Sequence, residues 1–186
     1  DFLESPEAVV RHFGAVQAQD YAAALWAIGL RLEHATAKDV ESSIRERQIM
    51  RTWPLRGTIH FVPAEDLRWM VRHFATKRND QFRDTYLKKI GLTLPILESC
   101  RTVLERELSG QQLTRPEVYA QLEAAGISQI SEWGIHILGY WAQAGLLCIG
   151  PHQGKQPTMV LLDDWVPLEA SRDLSRDSRG STSRAA

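Results

Sequence analysis

Two glutamines one residue apart, Gln17 and Gln19 in GAVQAQDYAAALWAIGLRL, are the side chains whose type and spacing most invite a chemical reading. Each amide offers a carbonyl acceptor and two N–H donors. In an extended segment residues i and i+2 leave the backbone on the same side, whereas in a helix they diverge by about 200°. Asp20 is placed to cap a helix that begins just after them, so both glutamines fall in the connector before it. Together they could hold one water and orient it without removing its proton. Two solvated side chains in an ordinary loop are the plainer alternative, because an isolated Q-x-Q is a weak motif.

A water that is positioned but not deprotonated suits a reaction whose leaving group does most of the work. A purine alkylated on a ring nitrogen is such a group: it is cationic, its bond to the sugar is weakened, and the transition state resembles an oxocarbenium ion. A second set of polar groups follows in IMRTWPLRGTIHFVP. There Arg56, Thr58 and His60 alternate with Ile59 and Phe61, which puts the three polar groups on one strand face. Arg56 and His60 either line the cleft of the glutamines and meet a phosphate or lesion, or form a salt bridge and a satisfied strand histidine.

Charge is unevenly spread. Residues 1–44 carry three basic and seven acidic side chains, and residues 45–91 carry eleven and five, inside a chain of net charge −1. The basic stretch reads as a phosphate-facing surface or as the solvated face of a long helix. Arg51, Arg68, Arg72, Lys77 and Arg78 are its candidates for nucleic-acid backbone contacts. The histidines at 12, 34, 60, 73, 136 and 152 form neither a His-Glu-x-x-His pair nor a cluster with cysteine, so no metal is expected. A phosphate-binding glycine loop, a dinucleotide fingerprint and a nucleophile elbow are all missing, and no cofactor is expected.

The elements that must position these groups repeat. Ser5-Pro6-Glu7 starts one helix, Asp20 a second and the Thr36/Asp39 pair a third, after which the period changes to a hairpin turning at Pro54. Helical spacing resumes at Ala64 and runs to about Lys89, with a break near Asn79. The same order then returns: a helix over about 95–108, a Thr114/Glu117 capping box with a helix to Ala125, a helix over about 131–144, and strands LLCIG and TMVLL around PHQGKQP. The expected fold is therefore mainly α with small β-hairpins, as tandem winged-helix (helix-turn-helix) units. The first spans 1–63, a helical connector 64–94 and the second 95–167, with a Ser/Arg-rich disordered tail at 168–186.

Hydrophobic residues at 44% and charged residues at 24% give the balance of a chain that buries a sizeable core. No run approaches the 18 or so apolar residues of a membrane span. The N-terminal DFLESPEAVV has no signal-peptide pattern, and Cys100 and Cys148 suggest no disulfide framework, which points to a reducing, cytoplasmic setting.

The segments VQAQDYAAALWAIGLRL and RTWPLRGTIHFVPAEDLRWM resemble the winged-helix DNA glycosylases of the AlkZ/YcaQ type, enzymes that remove alkylated purines and unhook interstrand crosslinks. The resemblance covers roughly residues 3–167 and matches the N-terminal half of the family, whose members continue well beyond this length. It implies that the family's catalytic Q-x-Q falls on Gln17 and Gln19, and its R-G-T-x-H strand on Arg56, Gly57, Thr58 and His60. Arg51 from the basic stretch, with Arg56, Thr58 and His60 of this strand, are the expected DNA and lesion contacts. It implies a monofunctional, hydrolytic glycosylase for damaged double-stranded DNA, acting as a monomer without metal or cofactor. The alternative is a truncated relative that binds DNA without turnover. SEWGIHILGYWAQAG, the third helix of the second unit, has no Lys or Arg and is poorly equipped to read a groove.

Overall fold

Capping chemistry sets the helix starts as the sequence indicates. The Ser5 hydroxyl accepts from the Ala8 N–H at 3.1 Å and opens α1 (Pro6–Phe13), and Asp20 accepts from Ala23 N–H at 3.0 Å to open α2 (Tyr21–Gly29). Thr36 donates its N–H to Asp39 at 2.7 Å ahead of α3 (Ala37–Arg45), and Thr114 donates to Glu117 at 2.7 Å ahead of α7 (Arg115–Ala124). This computed structural model describes residues 2–55, 57–75 and 80–168. The sequence expectations for Arg56, Lys77, Arg78 and residues 169–186 of the tail lie outside the described residues.

Between these helices run β1 (Val16–Gln17), β2 (Ile49–Leu55), β3 (Thr58–Pro63), β4 (Leu113–Thr114), β5 (Leu147–Gln153) and β6 (Gln156–Leu161). The remaining helices are α4 (Ala64–Met70), which runs into a π-helical turn (Val71–Ala75), α5 (Asp80–Lys89), α6 (Leu94–Leu108), α8 (Ile130–Gln143) and α9 (Leu162–Trp165). The two hairpins expected as separate small units instead merge. All six strands form one sheet in the order β1-β3-β2-β5-β6-β4 with antiparallel pairing, and the hairpins meet where Arg51 of β2 faces Ile149 of β5. Among the described residues the fold is thus mixed α/β, with nine α-helices around one sheet.

Strand alternation sorts the core into two layers. Ile49, Trp53, Ile59, Phe61, Ile149 and Met159 pack against helix residues such as Val9, Ile28, Ile44, Leu104 and Ile137. Met50, Val62, Cys148 and Val160 lie on the other side with Leu67, Met70 and Trp165. Helix α8 is anchored inward by its tryptophans: Trp133 donates to the Ile90 carbonyl at 3.0 Å and Trp141 to that of Leu97 at 3.1 Å. Both cysteines are free and buried, and burial pushes the thiols up, Cys100 to about 11 and Cys148 to about 12.

Two turns differ in detail from the sequence reading. The first hairpin does not turn at Pro54, which is a buried residue within β2; the turn lies beyond Leu55, at Gly57 with φ 73°. The register also shifts between Thr52 and Leu55, a bulge that absorbs the proline. In the second hairpin the register shifts between Ile149 and His152. Strict alternation from Ile149 would send His152 to the face opposite Arg51; the irregularity brings it round to Arg51 instead.

Gly150 is what allows that bulge. A Cβ there would stand 2.7 Å from Thr158 Oγ1 and 3.0 Å from Val160 Cγ1, and the Thr158 hydroxyl is already committed to the Pro151 carbonyl at 2.6 Å. Gly150→Ala should therefore destabilise the protein by about 1–3 kcal/mol, the usual range for overpacking. Urea unfolding measures it, and a midpoint equal to wild type would show that the strand pair gives way freely.

Candidate functional site

The Q-x-Q connector is held from three directions. Ala18, between the glutamines, is fully buried while Gln17 and Gln19 are exposed, the alternation of an extended segment. Ala18 donates its N–H to the Ile59 carbonyl at 2.8 Å. Its carbonyl accepts two bonds from the Arg51 guanidinium, at 3.1 Å from Nε and 2.7 Å from Nη2. Ile59 N–H in turn donates to Gln19 Oε1 at 3.2 Å. A backbone N–H can only donate, so the Gln19 carbonyl must face the strand, and its NH₂ group is the end left to meet a ligand.

Register arranges the other candidates. Gln17 faces His60 across β1 and β3, and His60 faces Thr52 across β3 and β2, so the three share one sheet face in a row. His60 Nδ1 lies 3.1 Å from the Thr58 carbonyl. A carbonyl only accepts, so the neutral ring carries its proton on Nδ1 and leaves Nε2 as an acceptor. The Gln17 side chain makes no hydrogen bond among the described residues, and the buried Thr52 hydroxyl has no partner there either. The Thr58 hydroxyl is occupied, donating to the Leu55 carbonyl at 2.9 Å across the hairpin turn.

Gln19 also borders a cleft of about 290 Å³ between the first hairpin and α8. Its walls include Trp53 and Ile59 from the sheet, Tyr86 from α5, and His136, Tyr140 and Gln143 from one stripe of α8. Tyr86 and His136 meet edge to face at 5.2 Å. The lining holds no carboxylate and no lysine or arginine among the described residues, and neither Gln17 nor His60 is part of it. The i, i+4 and i+7 spacing of His136, Tyr140 and Gln143 puts them on one stripe of α8, whereas nothing local in the sequence marks Trp53 or Tyr86 as their neighbours.

Arg51 is where the structure corrects the sequence most. Expected at a phosphate-facing surface, it is only 6% exposed and points at Ala18, with its guanidinium carbon 5.1 Å from the Tyr21 ring centre. Burial lowers its pKa, while Tyr21 and Asp20 act in the opposite sense. Arg68 is likewise turned inward: it donates to the Val166 carbonyl at 2.9 Å and pairs with Asp163 at 2.7 Å, holding α9. Arg72 is exposed and engaged with a neighbour. No group of three or more His, Cys, Asp or Glu that could hold a metal ion occurs among the described residues.

The chain is 26% identical over 160 residues to an interstrand DNA cross-link repair glycosylase of Streptomyces sahachiroi, covering 82% of this chain and 42% of that protein. In structure it resembles the Streptomyces sahachiroi DNA glycosylase AlkZ with a TM-score of 0.77 at 24% identity, over 92% of this chain and 47% of the other. The chain thus spans less than half the length of either. The family model described as DNA glycosylase AlkZ-like matches residues 10–185, and the chain belongs to that family.

Proposed function

We propose that this chain binds damaged double-stranded DNA and hydrolyses the N-glycosidic bond of an alkylated, cationic purine, with Gln17 and Gln19 orienting the attacking water. The observation that carries this reading is the clamped connector: two exposed amides flank a buried residue whose N–H and C=O are both fixed by the sheet. The Gln19 NH₂ at the cleft donates to one lone pair of the water; Gln17, whose register puts it on the face of His60 and Thr52, must turn past the edge of β1 for its carbonyl to accept one of the water's protons, and the second lone pair faces the sugar C1′. As the C–N bond breaks, its electron pair leaves with the purine and quenches the positive charge. The water oxygen bonds to C1′ and releases its proton to solvent. The cleft beside Gln19 suits a flat cation, since Trp53, Tyr86 and Tyr140 offer aromatic surface and its lining holds no lysine or arginine among the described residues.

The same reading takes each set of three helices and a hairpin as a winged helix, residues 1–63 and 95–167, joined by the helical segment 64–94. Helix α8 then serves as a cleft wall, which accounts for its lack of basic side chains better than a groove-reading role does. His60, with Nε2 available as an acceptor, is its proposed contact to a donor on the lesion, and Arg56 its proposed lesion or phosphate contact. A single copy of the chain, acting in the cytoplasm, suffices for it.

Release of free base from methylated DNA by the purified chain tests the activity. Gln17→Ala and Gln19→Ala should each slow release by about 10²- to 10⁴-fold, the span for a group that places a reactant, with little change in DNA affinity. Glutamine does not titrate, so the rate should be flat from about pH 7 to 9. A bell-shaped profile in that window would assign catalysis to a titrating neighbour, and binding without release would favour the non-catalytic DNA-binding module.

Arg51 offers a separate check. A phosphate contact contributes about one unit of log–log salt slope, which its removal erases. Because Arg51 is buried against Ala18, Arg51→Met should leave the slope unchanged and lower stability by about 1–3 kcal/mol through the orphaned carbonyl. A flatter salt dependence in a stably folded variant would return Arg51 to the DNA surface.

A further inference from the structure

Besides pairing with β2, the second hairpin sends one side chain towards α2. His152 of β5 stacks on Tyr21, the first residue of α2, with ring centres 3.7 Å apart and planes 16° from parallel. Its Nε2 lies 3.4 Å from Arg51 Nη1. Arginine only donates, so Nε2 must be the acceptor and the imidazole must be neutral, with its proton on Nδ1. Tyr21 is shared: one side faces His152, the Arg51 guanidinium also lies against its ring, and its hydroxyl donates to Glu41 of α3 at 3.5 Å.

We propose that His152 is a positioning residue for the Q-x-Q connector: in its neutral form it holds Arg51 on the Ala18 carbonyl, and so fixes the two amides that flank Ala18. This rests on the reading of Gln17 and Gln19 given above only for its catalytic consequence; the clamp itself is a matter of geometry. Arg51 has the freedom of a long side chain, and three groups remove it: the Ala18 carbonyl in front, the Tyr21 face beside and the His152 acceptor behind. Protonation of His152 takes away the acceptor and sets two cations against each other.

The charged and titratable groups around His152 oppose one another. Arg51 of β2 disfavours its cation, Glu41 of α3 favours it, and Tyr21, Asp20 and Arg45 act on the same cluster. Burial is the largest influence, Arg51 the next, and together they hold the His152 pKa below its ordinary value. The unfolded chain therefore binds this proton more readily than the folded one. The contribution to stability is complete above about pH 6.5 and declines as pH falls below it towards the folded-state pKa.

Amide hydrogen exchange of Ala18 and Ile59, read by NMR as protection factors, tests the clamp without requiring activity. In the wild type the Ala18 protection should fall by about fivefold to tenfold as His152 titrates, the equilibrium equivalent of one hydrogen bond. His152→Gln, which keeps a neutral acceptor, should retain the protection and lose the acid-side fall. His152→Lys should show the low protection already at pH 7. Base release should follow the same pattern in kcat, with KM little changed. Ala18 protection that ignores both His152 titration and His152→Lys would overturn the proposal. Protection that responds as described in a chain that releases no base would overturn the glycosylase reading and leave the clamp standing.

Discussion

A guanidinium buried in a sheet is costly unless its donors are satisfied, and the placement of Arg51 organises much of this protein. Its backbone joins the two hairpins, since Arg51 opposite Ile149 is the register pair between β2 and β5. Its side chain is held by a carbonyl oxygen, an imidazole and an aromatic face, with no carboxylate in hydrogen-bonding contact among the described residues. Neutral acceptors offset only part of the desolvation, as the lowered pKa indicates. Exchanging Arg51 for an apolar residue of similar length would relieve that cost and orphan the Ala18 carbonyl instead. The charge therefore sits where it fixes the backbone of the connector, through two bonds to one carbonyl.

What could be read from the sequence was mostly local. The helix starts at Ser5, Asp20, Thr36 and Thr114 follow from cap chemistry that acts over three residues, and each is found in place. The alternation that set Ile59 and Phe61 inward and Thr58 and His60 away from them is equally local. What escaped was non-local. Counting charges in 45–91 treated Arg51 and Arg68 as surface groups, because nothing in their own neighbourhood tells that Ala18, 33 residues before, and Val166, 98 residues after, supply carbonyls for them. The pairing of Tyr21 with His152 depends on a bulge that no local motif marks: it is set by how Gly150 packs on Thr158. Strands β1 and β4, two residues each, exist only because a sheet edge is there to receive them.

The two halves of the sheet share an order of elements but not a connector. In the second half β4 ends at Thr114, and that same residue caps α7. In the first half β1 ends at Gln17, but the cap of α2 is Asp20, so Ala18 and Gln19 are interposed between strand and helix. These two extra residues are the ones that receive the bonds from Arg51 and Ile59. The candidate chemistry therefore lies where the first half departs from the second, and the clamp is local to that departure.

An amide that orients water has no titration to help it. A carboxylate or imidazole can compensate a loose position with basicity; glutamine can contribute only the direction and distance of its dipole. Rigid placement is then the whole of its contribution, and the connector that carries it must be more constrained than a loop on the surface of a sheet would be. Ala18 meets that need by being a small residue at zero exposure with both backbone groups bonded, and Gln19 by having its carbonyl end fixed to Ile59. Gln17 is left with a free amide, which lets one member of the pair adjust to a substrate while the other stays fixed. The proposed site is thus asymmetric: the Gln19 carbonyl is fixed by the sheet, whereas the exposed Gln17 side chain has no hydrogen-bond partner among the described residues.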